Sequence, residues 1–219
     1  MATERAVSVA QVAYLANATD KEINRLVDEH VLPDSLVTRD NGRRMAPFAA
    51  PLACFFLSTG PKLTRTTRLW AIEAIIDRVS RSPAAADVLA LTCNRLKLDF
   101  DWVVRDEDLS VSFDRYLWGA CERAEHLMQA EHEIVSDPEI LGGAPCFRGT
   151  RLPIATVLEA LEAGDTLVQW QEGYSFLTQP LIDHAKIYLQ THPRPGRPRR
   201  LSDTAVGWKL LDSKVVGAR

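Results

Sequence analysis

The sequence lacks most of the marks by which a function is usually read. Its four cysteines (Cys54, Cys93, Cys121, Cys146) are scattered over 219 residues and form no CxxC pair, so neither a zinc site nor a redox dithiol is indicated. Reduced, mostly buried thiols in a cytoplasmic protein fit that pattern. The five histidines (His30, His126, His132, His184, His192) have no metal-ligand spacing. His126 and His132 are expected on a helix surface, and Asp183-His184 on a solvent-exposed helix face. There is no P-loop, GxSxG or HExxH, so no enzyme, metal or cofactor is expected. The start, "MATERAVSVAQ", lacks the apolar stretch of a signal peptide. "FAAPLACFFL" is too short to span a membrane and contains Pro51. An excess of one charge is missing too: the formal net charge of −3 does not by itself advertise nucleic-acid binding.

What is present is an ordinary globular composition, 46% hydrophobic and 25% charged, in a chain long enough for two compact domains. The distribution of charge says more than its sum. From Arg194 onward, Arg194, Arg197, Arg199, Arg200, Lys209, Lys214 and Arg219 are opposed only by Asp203 and Asp212. A basic tail on a mildly acidic body suits an anionic partner, or a solvated segment that maintains solubility.

In "SVAQVAYLANATDKEINRLVDEHVLP", Ser8 precedes Gln11 and Thr19 precedes Glu22 at capping-box spacing. Val9, Val12, Ala13 and Ala16 recur at helical spacing, as do Ile23, Leu26 and Val27. Two short helices joined near Asn17 form a helix-turn-helix pattern. Asp40-Asn41-Gly42 then signals a hairpin between Val37 and Met45, with Arg39, Arg43 and Arg44 around its tip. This winged arrangement resembles the N-terminal half of MerR-type DNA-binding domains; a small helical protein-interaction module is the alternative. Asn24 and Arg25 are the side chains on the second helix best suited to base edges. "PFAAPLACFFLSTG" and "LTRTTRLWAIEAIIDRVS" read as a buried helix and an amphipathic one, the latter with Leu69, Ile72, Ile75, Ile76 and Val79 on one face. Alternation of Leu96, Leu98, Phe100 and Trp102 predicts a strand. Ser112 is expected to open a helix through Leu117, Cys121 and Leu127–Met128.

The richest signal is "EHEIVSDPEILGGAPCFRGTRLPIATVLEALEAGDTLVQWQEGYSFLTQPLIDHAKIYL". Ile134–Val135 and Cys146–Phe147 are short strand candidates flanking a Pro/Gly loop. Three helices follow: one from Ile154 closed by Gly164, one capped by Thr166, and one from Thr178 to about Leu189 with Pro180 in its first turn. Asp137-Pro138, Gly142-Gly143, Pro145, Arg148-Gly149-Thr150-Arg151, Pro153, Gly164, Tyr174 and Leu177-Thr178 resemble the domain-of-unknown-function 433 family over about sixty residues. The resemblance implies a homeodomain-like helix-turn-helix and, with the N-terminal domain, a VapB-type antitoxin paired with a PIN-like ribonuclease toxin.

The loop glycines and prolines constrain the backbone that carries Arg148 and Arg151. An arginine fork there suits DNA phosphates, or an internal pair with Asp137 or Glu139. "HPRPGRPRR" has too many prolines for a helix, and its Gly196-Arg197-Pro198 core resembles an AT-hook. Beyond it, Trp208, Leu210 and Leu211, with Arg197, Arg199, Arg200 and Arg219, suit a partner-binding arm; Trp208 and Leu211 folding onto the chain's own core is the alternative. The expectation is a mainly α protein with two helix-turn-helix-type (winged or homeodomain-like) domains, small β-hairpins and an extended C-terminal arm. Its parts are a winged domain (1–60), a helical spacer or dimerisation region (61–130), a homeodomain-like domain (131–192) and a basic toxin-binding arm (193–219). The expected function is an antitoxin that inhibits a PIN-like ribonuclease and represses its own operon by binding operator DNA. It would act as a homodimer or as a hetero-oligomer with the toxin, with no membrane, metal or cofactor involved. A stand-alone transcription regulator is the alternative.

Overall fold

A computed structural model describes residues 6–39, 42–92 and 100–193. The described chain is mainly helical, with three small antiparallel sheets. The first helix, α1 (Val9–Ala16), starts at a capping box: the Gln11 amide donates to Ser8 Oγ at 3.2 Å and the Ser8 amide to Gln11 Oε1 at 2.8 Å. It stops at Asn17, whose left-handed backbone (φ 52) is tolerated because a short amide side chain crowds it little. Thr19 and Glu22 cap α2 (Asp20–Asp28) in the same reciprocal way. The Thr19 backbone N–H, and then its hydroxyl, hold the Glu22 carboxyl below its ordinary pKa.

The expected hairpin is present as β2 (Val37–Thr38) paired with β3 (Arg44–Met45). Its other edge carries β1 (Val7–Ser8), which gives the strand order β1-β3-β2. A two-residue strand running straight into a helix cap shows no alternation, so β1 leaves no mark in the sequence. Next come α3 (Ala49–Ser58), with Pro51 in a first turn where its missing N–H costs nothing, and α4 (Arg65–Ser80), capped by Thr64. The short α5 (Ala85–Leu89) follows.

One expectation needs correction, and one falls partly outside the described residues. Of the alternation expected to form a strand, Leu96 and Leu98 lie outside the described residues, and Phe100 and Trp102 lead into β4 (Val103–Arg105). Its hairpin partner is β5 (Ser110–Ser112), so Ser112 ends a strand rather than opening a helix. Its hydroxyl still accepts the Asp114 amide at 3.2 Å, at the head of α6 (Asp114–Glu133). One core joins these elements. Phe55 lies 4.6 Å from Phe113 and 5.4 Å from Tyr116 between ring centroids, and Phe48 lies 5.9 Å from Trp102. Residues from Val12 to Leu127 contribute to it, so the first helix pair and the central helices are buried together. Each large side chain so buried stabilises the fold by about 1.5–3 kcal/mol.

The C-terminal part begins with β6 (Ile134–Val135) antiparallel to β7 (Cys146–Phe147). Then come α7 (Ile154–Glu162), ended by Gly164 at φ 114, α8 (Leu167–Gly173) and α9 (Gln179–Thr191). Ile134, Phe147, Ile154, Val157, Leu177 and Ile182 lie in a second core. A second face of α9, formed by His184, Ile187 and Thr191 at helical spacing, turns toward α6 and α1. Ile187 packs on the first core. His184, expected in solvent, is only 12% exposed, and its Nδ1 lies 2.6 Å from Glu133 Oε2. His192 Nε2 lies 3.5 Å from Glu131 Oε1, which also accepts Gln11 Nε2 at 2.8 Å. Among the described residues no helix is long and apolar enough to cross a membrane.

Candidate nucleic-acid interface

The α1–turn–α2 pair and the β2–β3 wing form one face. Its arginines are held in different ways. Arg43 is a latch: Nη1 donates to Asn24 Oδ1 at 2.7 Å and Nη2 to Asp28 Oδ1 at 2.7 Å, fixing the wing against α2. The Asn24 oxygen therefore faces Arg43, and its NH2 group is the end left for an outside acceptor. Arg44 donates twice to the Ala6 carbonyl, at 2.7 and 3.2 Å, and so ties the wing to the segment leading into β1.

Arg25 and Arg39 are different. Arg25 meets Glu29 at 3.9 Å and Arg39 meets Asp34 at 3.4 Å, in pairs that are more than half exposed on the arginine side. Exposed pairs of this kind are worth about 0–1 kcal/mol, so exchanging the carboxylate for a phosphate costs little. The tip residues 40 and 41 lie outside the described structure.

Sequence reasoning missed one member of this face. Arg65, the first residue of α4, reaches Glu29 Oε2 at 2.7 Å and so sits beside the end of α2. Arg68, one turn on, is held elsewhere: its guanidinium carbon lies 4.0 Å from the Phe56 ring centroid and its Nη1 donates to the Phe56 carbonyl at 2.6 Å. The signal was legible: the first turn of α4 holds no acid, although a helix N-terminus favours one.

The C-terminal loop treats its two arginines unequally as well. Gly142 (φ 65) and Gly143 (φ 84) turn the chain back so that the Ser136 hydroxyl donates to the Gly143 carbonyl. Thr150 closes the next turn through Phe147 O at 2.9 Å. The Arg148 amide donates to Glu133 O at 2.7 Å and its Nε to the His132 carbonyl, so Arg148 braces the loop against the end of α6. Arg151 is exposed and makes no ion pair among the described residues. The internal pair with Asp137 or Glu139 is not formed; Asp137 Oδ1 instead accepts the Glu139 amide at 2.9 Å. The two arginines border a shallow cleft floored by Val135, Ile140 and Phe147. Burial raises the Cys146 thiol above its ordinary pKa, which disfavours the thiolate.

The remaining expected site residues, Arg197, Arg199, Arg200, Trp208, Leu210, Leu211 and Arg219, lie outside the described residues. The inner faces of α9 are taken by α7, α6 and α1, which leaves Gln179, Pro180, Asp183, Lys186 and Gln190 toward solvent.

Comparison with known proteins bears out the family resemblance of this region. Residues 134–189 match the family described as "Protein of unknown function (DUF433)". The chain is 32% identical over 213 residues to the uncharacterized protein y4eO of Sinorhizobium fredii (strain NBRC 101917 / NGR234). The alignment covers 97% of this chain and 93% of that protein. No solved structure matches significantly. A match that runs nearly end to end in both proteins places this chain in the family of y4eO, with a DUF433 domain at residues 134–189.

Proposed function

We propose that the protein is a DNA-binding repressor of its own operon and the antitoxin of a PIN-like ribonuclease. The observation that carries the DNA half is the latched wing. Arg43 fixes the hairpin to α2 through Asn24 and Asp28, while Arg25 and Arg39 are left in exposed pairs that phosphates can replace. The antitoxin half is supported by the resemblance of the loop motif and by the basic, tryptophan-containing segment after Arg194.

The test has two arms. A gel shift on the DNA upstream of the gene should show retardation that weakens steeply with salt, with a log–log slope of about −0.9 per phosphate contacted. Co-expression with the neighbouring reading frame should yield a copurifying ribonuclease without activity. No retardation even at low salt removes the DNA half. Retardation with no copurifying nuclease leaves a stand-alone regulator.

A further inference from the structure

The C-terminal domain carries an exposed aromatic strip that neither half of the proposed function uses. Trp170 of α8 stacks on Tyr174 with ring centroids 5.7 Å apart and 25° between their planes. Tyr174 meets Phe176 edge-on at 6.1 Å, and Phe176 meets Phe147 edge-on at 6.0 Å. Tyr174 and Phe176 are each 40% exposed, while Phe147 is buried in the second core. The rings hold one another, so a partner that covers them orders few new side chains. Exposed aromatic side chains grouped in this way suit a protein–protein contact.

The two ends of the strip carry opposite charge. At the Trp170 end, the indole Nε1 donates to Asp165 Oδ2 at 3.1 Å. Asp165 is exposed and makes no ion pair among the described residues, which leaves Oδ1 for an outside donor. At the other end, Phe147 lines the cleft bordered by Arg148 and Arg151. Arg148 is committed to the His132 carbonyl, whereas Arg151 is exposed and makes no ion pair among the described residues. An acid and an arginine, each without an ionic partner among the described residues, thus stand at opposite ends of one chain of ring contacts.

Charge decides the occupant. From Leu152 to Thr178 the chain carries Glu159, Glu162, Asp165 and Glu172 and no lysine or arginine, so this part of the surface repels a phosphate backbone. A second copy of the chain is different. An interface about a twofold axis is self-complementary: residue i of one copy meets residue j of the other, and j meets i. A strip that is negative at one end, positive at the other and apolar between meets that condition with its own image. Laid antiparallel on a second copy, it brings Arg151 to the partner's Asp165 twice and sets rings against rings.

We infer that the strip running from Asp165 through Trp170, Tyr174 and Phe176 to Arg151 is the interface at which two copies of this chain pair about a twofold axis. Arg151 of each copy binds Asp165 of the other. The inference stands apart from both the DNA and the ribonuclease readings, because it concerns the purified protein alone.

The test uses the full chain, free of DNA, in sedimentation runs across a concentration series. The wild type should be a dimer that dissociates on dilution. Arg151→Glu and Asp165→Arg each set like charges together at both contacts, and each should raise the dissociation constant by about tenfold or more. Mixed in equal amounts, the two variants should pair again, since the mixed dimer has opposite charges at both contacts. Phe176→Ala, which removes a ring from the middle of the strip, should weaken pairing by about tenfold as well. Circular dichroism establishes that the variants stay folded. A monomeric wild type overturns the inference, as do single variants that dimerise like the wild type, or a mixture that pairs no better than its components. So does a Phe176→Ala variant that loses a copurifying protein while its dimer is unchanged, for then the face belongs to that protein.

Discussion

Arg25 and Arg43 sit on the same face, but their substitution should have different consequences. Arg25 is exposed and loosely paired with Glu29. Arg25→Ala should leave the melting temperature unchanged, weaken DNA binding and reduce the magnitude of the salt slope by about 1, the loss of one phosphate contact. Arg43 is mostly covered, and its two short bonds join the wing to α2. Arg43→Ala should cost about 1 kcal/mol of stability, because a partly shielded charge-assisted pair is lost, and it should also weaken DNA binding by freeing the wing. Paired thermal melts and gel shifts separate the two. A full-affinity Arg25→Ala protein, or an Arg43→Ala protein with normal stability, would contradict this division. The arginine types and their crowding near the hairpin were legible in the sequence. Their division into latch and contact was not, because what makes Arg43 a latch, Asn24 and Asp28, lies on α2 rather than on the hairpin.

At the scale of the element, the reciprocal caps explain why the helices begin where they do. Ser8/Gln11 and Thr19/Glu22 were visible as spacing, and Thr166/Gln169 has the same geometry. Thr19→Ala should destabilise the protein by about 1 kcal/mol, measured by urea unfolding. The Glu22 carboxyl is held below its ordinary pKa in the folded state, so its contribution is complete above the unfolded carboxylate value. It is lost as pH falls through the lowered folded value. Glu22→Gln keeps an acceptor for the Thr19 amide but cannot titrate, so its stability should fall less than that of the wild type across that acidic window. An identical acid limb in both would contradict this account. Elements without caps or long periods were harder to read. β1 has two residues, and the β4–β5 hairpin has three in each strand and turns at Asp106–Leu109 without glycine. α9 shows a single stripe in sequence, but it meets two neighbours, and the second face is built on His184, a polar residue that no apolar pattern marks.

At the scale of the molecule, α9 joins the DUF433 domain to the N-terminal body, and this decides how the C-terminal tail can be removed. Thr191 is buried, with its hydroxyl on Ile187 O at 2.7 Å. His192 stacks on Tyr188 at 4.2 Å and reaches Gln11 and Glu131. A cut after Gln190 would therefore damage the joint as well as remove the tail. A cut after Pro193 removes the tail and leaves Thr191 and His192 in place. The shortened protein should keep its wild-type unfolding midpoint and its DNA retardation by the α2–wing face, because the described contacts of that face lie before residue 194. On the proposed antitoxin reading it should lose strong copurification with the neighbouring gene product, since the removed residues include Trp208, Leu210 and Leu211 as apolar anchors together with the basic residues of the tail. Equal copurification and equal inhibition by the shortened protein would move the neutralising surface to the folded body, where the exposed Trp118 and Met128 of α6 are the next side chains to replace.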